Sequence, residues 1–143
     1  MLAIGCDHGG YELKEKVLAH LKEAGYEVCD CGCYSTASVD YPVYARAVAK
    51  KVAAGECENG ILICSTGIGI SIAANKVKGV RAALCAEPYS AKMTRLHNDA
   101  NILCMGALVT GSALAMDIVD VFLNTEFSGE ERHARRVRLI EEE

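Results

Sequence analysis

A chain of 143 residues, 51% hydrophobic and 24% charged, has the size of one domain and the apolar mass for a full core. Its net charge of −4 argues against nucleic acid or a membrane surface as the main partner. No apolar run has the length of a membrane span, and the opening Met1-Leu2-Ala3-Ile4-Gly5 lacks the basic flank and cleavage site of a signal peptide, so a cytoplasmic protein is expected.

In chain order, Leu2 to Cys6 reads as a first strand, followed by the polar turn Asp7-His8-Gly9-Gly10. Tyr11 to Ala24 carries Leu13, Val17, Leu18 and Leu21 at helical spacing and stops at Gly25. Tyr26 to Cys29 is a second strand, and Asp30 to Asp40 a surface loop. Pro42 opens a helix through Val43, Ala47, Val48 and Val52 that Gly55 closes. Ile61-Leu62-Ile63-Cys64 is too short for a helix and reads as a buried strand. It runs through Ser65-Thr66-Gly67-Ile68-Gly69 into a helix over Ile70 to Asn75. Val80 to Cys85 is a fourth strand, Pro88 to Leu96 a helix, and Ile102 to Met105 a fifth strand. Ser112 caps a helix through Leu114, Ile118, Val119 and Phe122. A charged helix covers about Glu130 to Glu142.

Strand and helix alternate five times, which predicts a single-domain α/β protein over residues 1–143. The expected architecture is a Rossmann-like three-layer sandwich: a five-stranded parallel sheet in the order 2-1-3-4-5 with helices on both faces. In that order the first and third strands are neighbours at the topological switch point. The turns at Asp7-His8 and Cys64-Ser65-Thr66 should therefore meet in one crevice beyond the strands' carboxyl ends.

The eight cysteines do not form a disulfide framework on this reading. Cys6, Cys64, Cys85 and Cys104 lie in or beside apolar runs, where a free thiol packs as a small hydrophobe. Cys29, Cys31 and Cys33 could form a metal clip, against the plainer reading of a strand end entering a turn.

Cys64 stands ahead of loop amides and a helix start, which together favour a thiolate able to serve as nucleophile or base. The competing reading is a buried structural cysteine. Small cysteine phosphatases place an arginine six positions after their nucleophile; here that position is Ile70. His8 and Asp7 sit at a strand's carboxyl end, where functional groups gather, although Asp7 could simply cap the following helix. His97 ends a helix and could be no more than a C-terminal cap. Arg132 and Arg136 share one helix face, and two guanidinium forks suit a phosphate dianion. The alternative is a solvated helix whose arginines pair with Glu130, Glu131 and Glu141 to Glu143.

These residues carry a resemblance. Gly5-Cys6-Asp7-His8-Gly9-Gly10, Asp40-Tyr41-Pro42, Ile63 to Lys76, Val80-Arg81-Ala82-Ala83, His97-Asn98-Asp99-Ala100-Asn101 and Arg132-His133-x-x-Arg136-Val137 occur in the same order in one family. The chain is similar, almost end to end, to the type B ribose-5-phosphate isomerases, a family that also holds galactose-6-phosphate isomerase. The resemblance implies an aldose–ketose isomerase working through an enediolate, without metal or cofactor. It gives Cys64 the role of base and Thr66 that of proton shuttle beside the loop. The amides around Gly67, Ile68, Gly69 and Ile70, with Thr66, would hold the oxyanion, and Ser65 would line the substrate beside the thiolate. It implies ring opening by His97 with Asp7 nearby, and sugar contacts from Tyr41 and Asn98. His8, Arg132 and Arg136 would grip the phosphate.

It further implies a homodimer, with a tetramer as the alternative, in which the C-terminal helix crosses to a partner and the site is shared between subunits. Some members carry a carboxylate at the position of Ile70 and lack the cysteine; here only Cys64 can take a proton. Many members have glycine at the position of Ser65 and arginine at that of Leu108. Arg135 points about 100° from Arg136 on a helix, so it is a poor substitute for the missing arginine. The alternatives are a six-carbon sugar phosphate as substrate, such as allose or galactose 6-phosphate, or a phosphosugar-binding module without turnover.

Overall fold

In the computed structural model, which describes residues 1–142, the sheet is built from β1 (Leu2–Cys6), β2 (Val28–Asp30), β3 (Asn59–Cys64), β4 (Ala82–Leu84) and β5 (Ile102–Gly106), all parallel. The helices are α1 (Tyr11–Glu23), α2 (Tyr41–Ala53), α3 (Ile68–Ala74), α4 (Pro88–Asn98), α5 (Ser112–Asn124) and α6 (Glu131–Glu141). β1, β5 and all but the first residue of β3 are fully buried runs, as strands covered on both faces must be. No helix among the described residues is long and apolar enough to cross a membrane.

The strand order is β2-β1-β3-β5-β4, which corrects the expected 2-1-3-4-5 at one edge. The reason is burial. β5 places five buried residues, Ile102 to Gly106, beside β3, whereas β4 has only three paired residues and leaves Leu84 43% exposed. The more apolar strand takes the interior and the short one the edge. Asn101 secures the exchange: its side chain accepts from the Arg81 N–H at 2.8 Å and donates to the Gly79 carbonyl at 2.9 Å.

Right-handed crossovers then sort the helices. The moves β2 to β3 and β3 to β4 run in one direction, so α2 and α3 share a face. There they cover Ala3, Leu62, Ile102 and Cys104. The moves β1 to β2 and β4 to β5 run the other way, so α1 and α4 take the opposite face. α5 lies between them over Ile4, Ile61, Ile63, Leu103 and Met105.

The three clustered cysteines divide between these two layers. Cys29 and Cys31 pack on the α2–α3 side. Gly32, at φ +92°, turns the chain, and Cys33 enters the other layer, its Sγ 3.8 Å from that of Cys6. The three thiols thus do not converge, because the turn separates them. The C-terminal helix α6 lies against α4 of its own chain, tied by Arg81 Nη1 to Glu141 Oε1 at 2.6 Å. The expected pairing of arginines with Glu143 lies outside the described residues.

Candidate active site

The turns after β1 and β3 meet as the topology requires. The Asp7 N–H donates to the Ile63 carbonyl at 3.2 Å. Gly9 and Gly10 follow in a short 3-10 turn, where a Cβ would run into Ser65 Oγ and the Ile63 carbonyl respectively. Only glycine lets the two loops close to this distance. Asp7 is buried, and its Oδ1 accepts from the Gly10 N–H at 3.1 Å, so its cap is on this turn and not on α1.

Cys64 ends β3 at 5% exposure and packs in the α2–α3 layer with Leu62, Ile70 and Cys104, as the competing reading of a buried cysteine has it. Its Sγ accepts from the Gly67 N–H at 3.1 Å. Gly67 stands at φ +77°, the left-handed conformation that turns the chain out of the loop and into α3. Thr66 is exposed, and its Oγ1 accepts from the Ile68 N–H at 3.2 Å. The first bond of the α-helical ladder runs from the Ser71 N–H to the Gly67 carbonyl at 3.3 Å. The amides of Gly69 and Ile70, in the first turn of α3, have no acceptor within the helix. The Ile70 side chain is fully buried, so its contribution to a ligand is its amide alone. α3 has only seven residues, so individual N–H groups supply the local field rather than a long helix.

The loop is held from three sides. Beneath it, the Ala107 and Leu108 N–H groups donate to the carbonyls of Cys64 and Ser65 at 2.9 and 3.0 Å, which extends the β3–β5 pairing past the sheet. Above it, the Tyr41 ring lies against Gly69, where a Cβ would come within 2.7 Å of Cζ. To the side, the Val39 N–H donates to His8 Nδ1 at 3.1 Å. Asp7, His8, Tyr41, Cys64, Ser65, Thr66 and Gly67 to Ile70 are therefore one constellation.

The remaining expected residues form a second group at the α4–α6 contact. The rings of His97 and His133 lie 4.4 Å apart. His133 is buried; its Nδ1 is 2.8 Å from Ser128 Oγ, and Arg132 Nε donates to its Nε2 at 3.4 Å. Burial, with the His97 and Arg132 charges nearby, pushes the His133 pKa down. Arg132 pairs with Glu130 at 2.9 Å and Arg138 with Glu131 at 2.9 Å, so part of the solvated-helix reading holds. Arg136 has no carboxylate within 4.0 Å among the described residues. Asn98 ends α4, its carbonyl accepting from Arg81 Nε at 3.0 Å. Among the described residues, no hydrogen bond or ion pair joins this group to the Cys64 loop.

A cavity of about 600 Å³ lies between α3, α4 and α6, lined by Lys76, Lys78, Arg81, Thr94, Asn98 and Glu141. It opens on the second group rather than on Cys64. A smaller one, about 200 Å³, borders Gly9, Lys16, Leu108 and Thr110. The buried polar side chains of Lys14 and His133 lie outside the expected site residues. Lys14 had a visible signal: positions 14, 17, 18 and 21 share one helix face, so it was placed on the side that Val17 and Leu21 bury.

Against this geometry, comparison with known proteins is consistent along the whole chain. A family model described as Ribose/Galactose Isomerase matches residues 2–140. Ribose-5-phosphate isomerase B of Escherichia coli is 53% identical over 139 residues, covering 97% of this chain and 93% of its own. The galactose-6-phosphate isomerase subunit LacB of Clostridium acetobutylicum is 38% identical and covers 99% and 82%. The solved ribose-5-phosphate isomerase B of Clostridium thermocellum superposes with a TM-score of 0.96 at 56% identity, covering 98% and 94%. The type B enzyme of Trypanosoma brucei gives 0.95 at 49%, covering 98% and 95%.

Proposed function

The chain belongs to the ribose/galactose isomerase family and is an aldose–ketose isomerase, and we propose that it interconverts ribose 5-phosphate and ribulose 5-phosphate through an enediolate with Cys64 as the base. The observation that carries the assignment is the Cys64 sulfur under the Gly67 N–H, beside the unused amides of Gly69 and Ile70, at the end of a central strand. In the forward direction the thiolate removes the proton on C2 of the open-chain aldose. The C2 electron pair forms the C1–C2 double bond and the carbonyl electrons pass to O1. The Gly69 and Ile70 amides stabilise that oxygen, an arrangement effective because the donors are in place beforehand. Thr66 passes a proton between O1 and O2, and the thiol returns its proton to C1. The scheme uses no metal or cofactor.

Ring opening falls to His97, and the phosphate to His8, Arg132 and Arg136. Within one chain His97 and the arginines are apart from Cys64, while the reaction needs all of them. This supports a homodimer in which α4 and α6 of one subunit complete the loop of the other. The outward residues of α3, Ile68 and Ile72, are 51% and 57% exposed next to that loop, an apolar surface of the kind a partner covers.

Leu108, 82% exposed beside Ser65, leaves open the space where an arginine stands in many relatives, which favours allose or galactose 6-phosphate as the second reading. Incubation with pentose and hexose phosphates in deuterated water, followed by NMR, tests both. Deuterium appearing at C1 or C2 of ribose 5-phosphate supports the proposal, faster exchange on a hexose phosphate supports the second reading, and no exchange in any sugar phosphate overturns both.

A further inference from the structure

The mechanism leaves one buried charge without a task. Lys14 lies on α1 with 0% of its side chain exposed, among the apolar residues Leu13, Val17 and Leu21. Its Nζ donates to both carboxylate oxygens of Asp30 at 2.9 Å and to the Cys33 carbonyl at 2.7 Å. The rings of Tyr11 and Tyr34 stand 5.5 and 5.1 Å from it. Burial works against the charge, but the hydrogen bond and charge of Asp30 outweigh it and hold the ammonium above the ordinary lysine value. Such a pair is poor evidence for stability, because two apolar residues of the same volume serve as well or better. What it fixes is geometry.

Asp30 and Cys33 begin the segment that leads to the site. Asp30 Oδ1 also accepts from the Gly32 N–H at 2.9 Å. The Cys33 N–H donates to the Cys6 carbonyl at 2.8 Å, so the segment runs beside the last residue before Asp7-His8. Six residues on, the Val39 N–H donates to His8 Nδ1. Two further on, Tyr41 opens α2 with its ring against Gly69. An imidazole that accepts at Nδ1 carries its proton on Nε2 when neutral.

We propose that Lys14 is a positioning residue of the sugar-phosphate site: together with Asp30 it anchors the 31–41 segment at the Cys33 carbonyl, so that Val39 holds His8 as the Nε2–H tautomer and Tyr41 stays over the Gly67–Ile70 loop. This rests on His8 and Tyr41 serving as ligand contacts in the isomerase reading. It adds to that reading the origin of their orientation, from a side chain that touches no substrate.

The test reads the imidazole directly. Nitrogen-15 multiple-bond spectra of the wild-type protein should show His8 with an unprotonated Nδ1 and a protonated Nε2; an Nδ1-protonated ring overturns the proposal without any variant. Lys14→Met leaves Asp30 buried without its partner and is expected to destabilise the chain, so the double variant Lys14→Met/Asp30→Leu is made beside it. In the double variant, KM for ribose 5-phosphate should rise about tenfold or more, with kcat changed less than about threefold, because a misplaced binding group affects the site at a distance. His8 should become a mixture of tautomers. Glu15→Gln, at the exposed neighbour 3.5 Å from Nζ, should change neither. A folded double variant with unchanged KM and an unchanged His8 spectrum overturns the proposal. So does failure of both variants to fold, which would assign the pair to stability alone. Failure of the isomerase reading is separate: it would appear as wild-type protein that leaves ribose 5-phosphate unchanged.

Discussion

Replacing Gly67 by alanine isolates the turn that leads from the Cys64 loop into α3. The substitution carries two costs. The residue sits at φ +77°, where a Cβ brings about 1 kcal/mol or more of backbone strain. The new methyl would also lie 2.8 Å from the Met105 carbonyl carbon and 3.0 Å from its oxygen, with Leu84 Cδ1 at 2.5 Å. Leu84 is half-exposed and can swing away, but Met105 is backbone of the interior strand β5 and cannot, which adds about 1–3 kcal/mol of overpacking.

The sum, about 2–4 kcal/mol, corresponds to a fall in melting temperature of roughly 5–15 °C for a chain of this length. Gly69→Ala is the control two residues on. There the methyl meets only the Tyr41 ring, at 2.7–2.9 Å, a side chain 39% exposed and free to rotate, and alanine favours the helix by up to about 1 kcal/mol. Its stability should stay within about 1 kcal/mol of wild type while KM rises as Tyr41 is displaced. Thermal unfolding followed by circular dichroism, with steady-state kinetics on both variants, decides the matter. A Gly67→Ala protein melting within about 2 °C of wild type, or a Gly69→Ala protein falling equally far, refutes the reasoning.

Cys64→Ala should lower kcat by about 10²–10⁴-fold, the range for loss of a general base, while sugar-phosphate binding measured by calorimetry persists; a variant near full rate removes Cys64 from that role. Mixing Cys64→Ala subunits with Arg132→Ala subunits should restore activity through hybrid dimers that hold one intact site, and a mixture as inactive as its components argues against a shared site. Alkali should unfold the protein steeply. Burial pushes Cys6 up to about 12 and Cys85 up to about 11, and raises Cys104 as well. These thiols keep their protons in the fold while the unfolded chain loses them, so stability is intact below about pH 9 and falls as pH rises toward 11–12. Burial also raises Cys31 to about 12; the three fully buried thiols alone give about 4 kcal/mol per pH unit in that window, and a urea midpoint unchanged between pH 8 and 10.5 would contradict it. Leu108→Arg should lower KM for ribose 5-phosphate by about tenfold, the value of one charge-assisted hydrogen bond, and an unchanged KM would show that this position does not face the phosphate.

The local features of the site were legible because each depends on a few adjacent residues. An apolar tetrad, a turn with Gly67 and Gly69, and a short apolar helix define strand, loop and helix start without help from the rest of the chain. The meeting of Asp7-His8 with the Cys64 loop followed from the doubly wound order, which sets the first and third strands side by side at the switch point. Interactions in which distant segments compete for the same position are set by neither local residues nor sheet topology. The interior place beside β3 went to Ile102 to Gly106 rather than to Ala82 to Leu84 because burying the more apolar strand gains more. That comparison exists only once both strands are present. Cys29, Cys31 and Cys33 share a parity in the sequence, yet the left-handed turn at Gly32 sends Cys33 to the opposite layer. Lys14 occupies an apolar helix position, and only the arrival of Asp30 and the Cys33 carbonyl from sixteen and nineteen residues away makes a charge tolerable there. The amino-acid order alone set the alternating elements, the glycine-bearing turn after β3 and the hand of the connections, since those depend on short-range sterics and chirality. The fold decided which strand lies inside, which nitrogen of His8 carries the proton and what neutralises Lys14, since those depend on partners brought together only by packing.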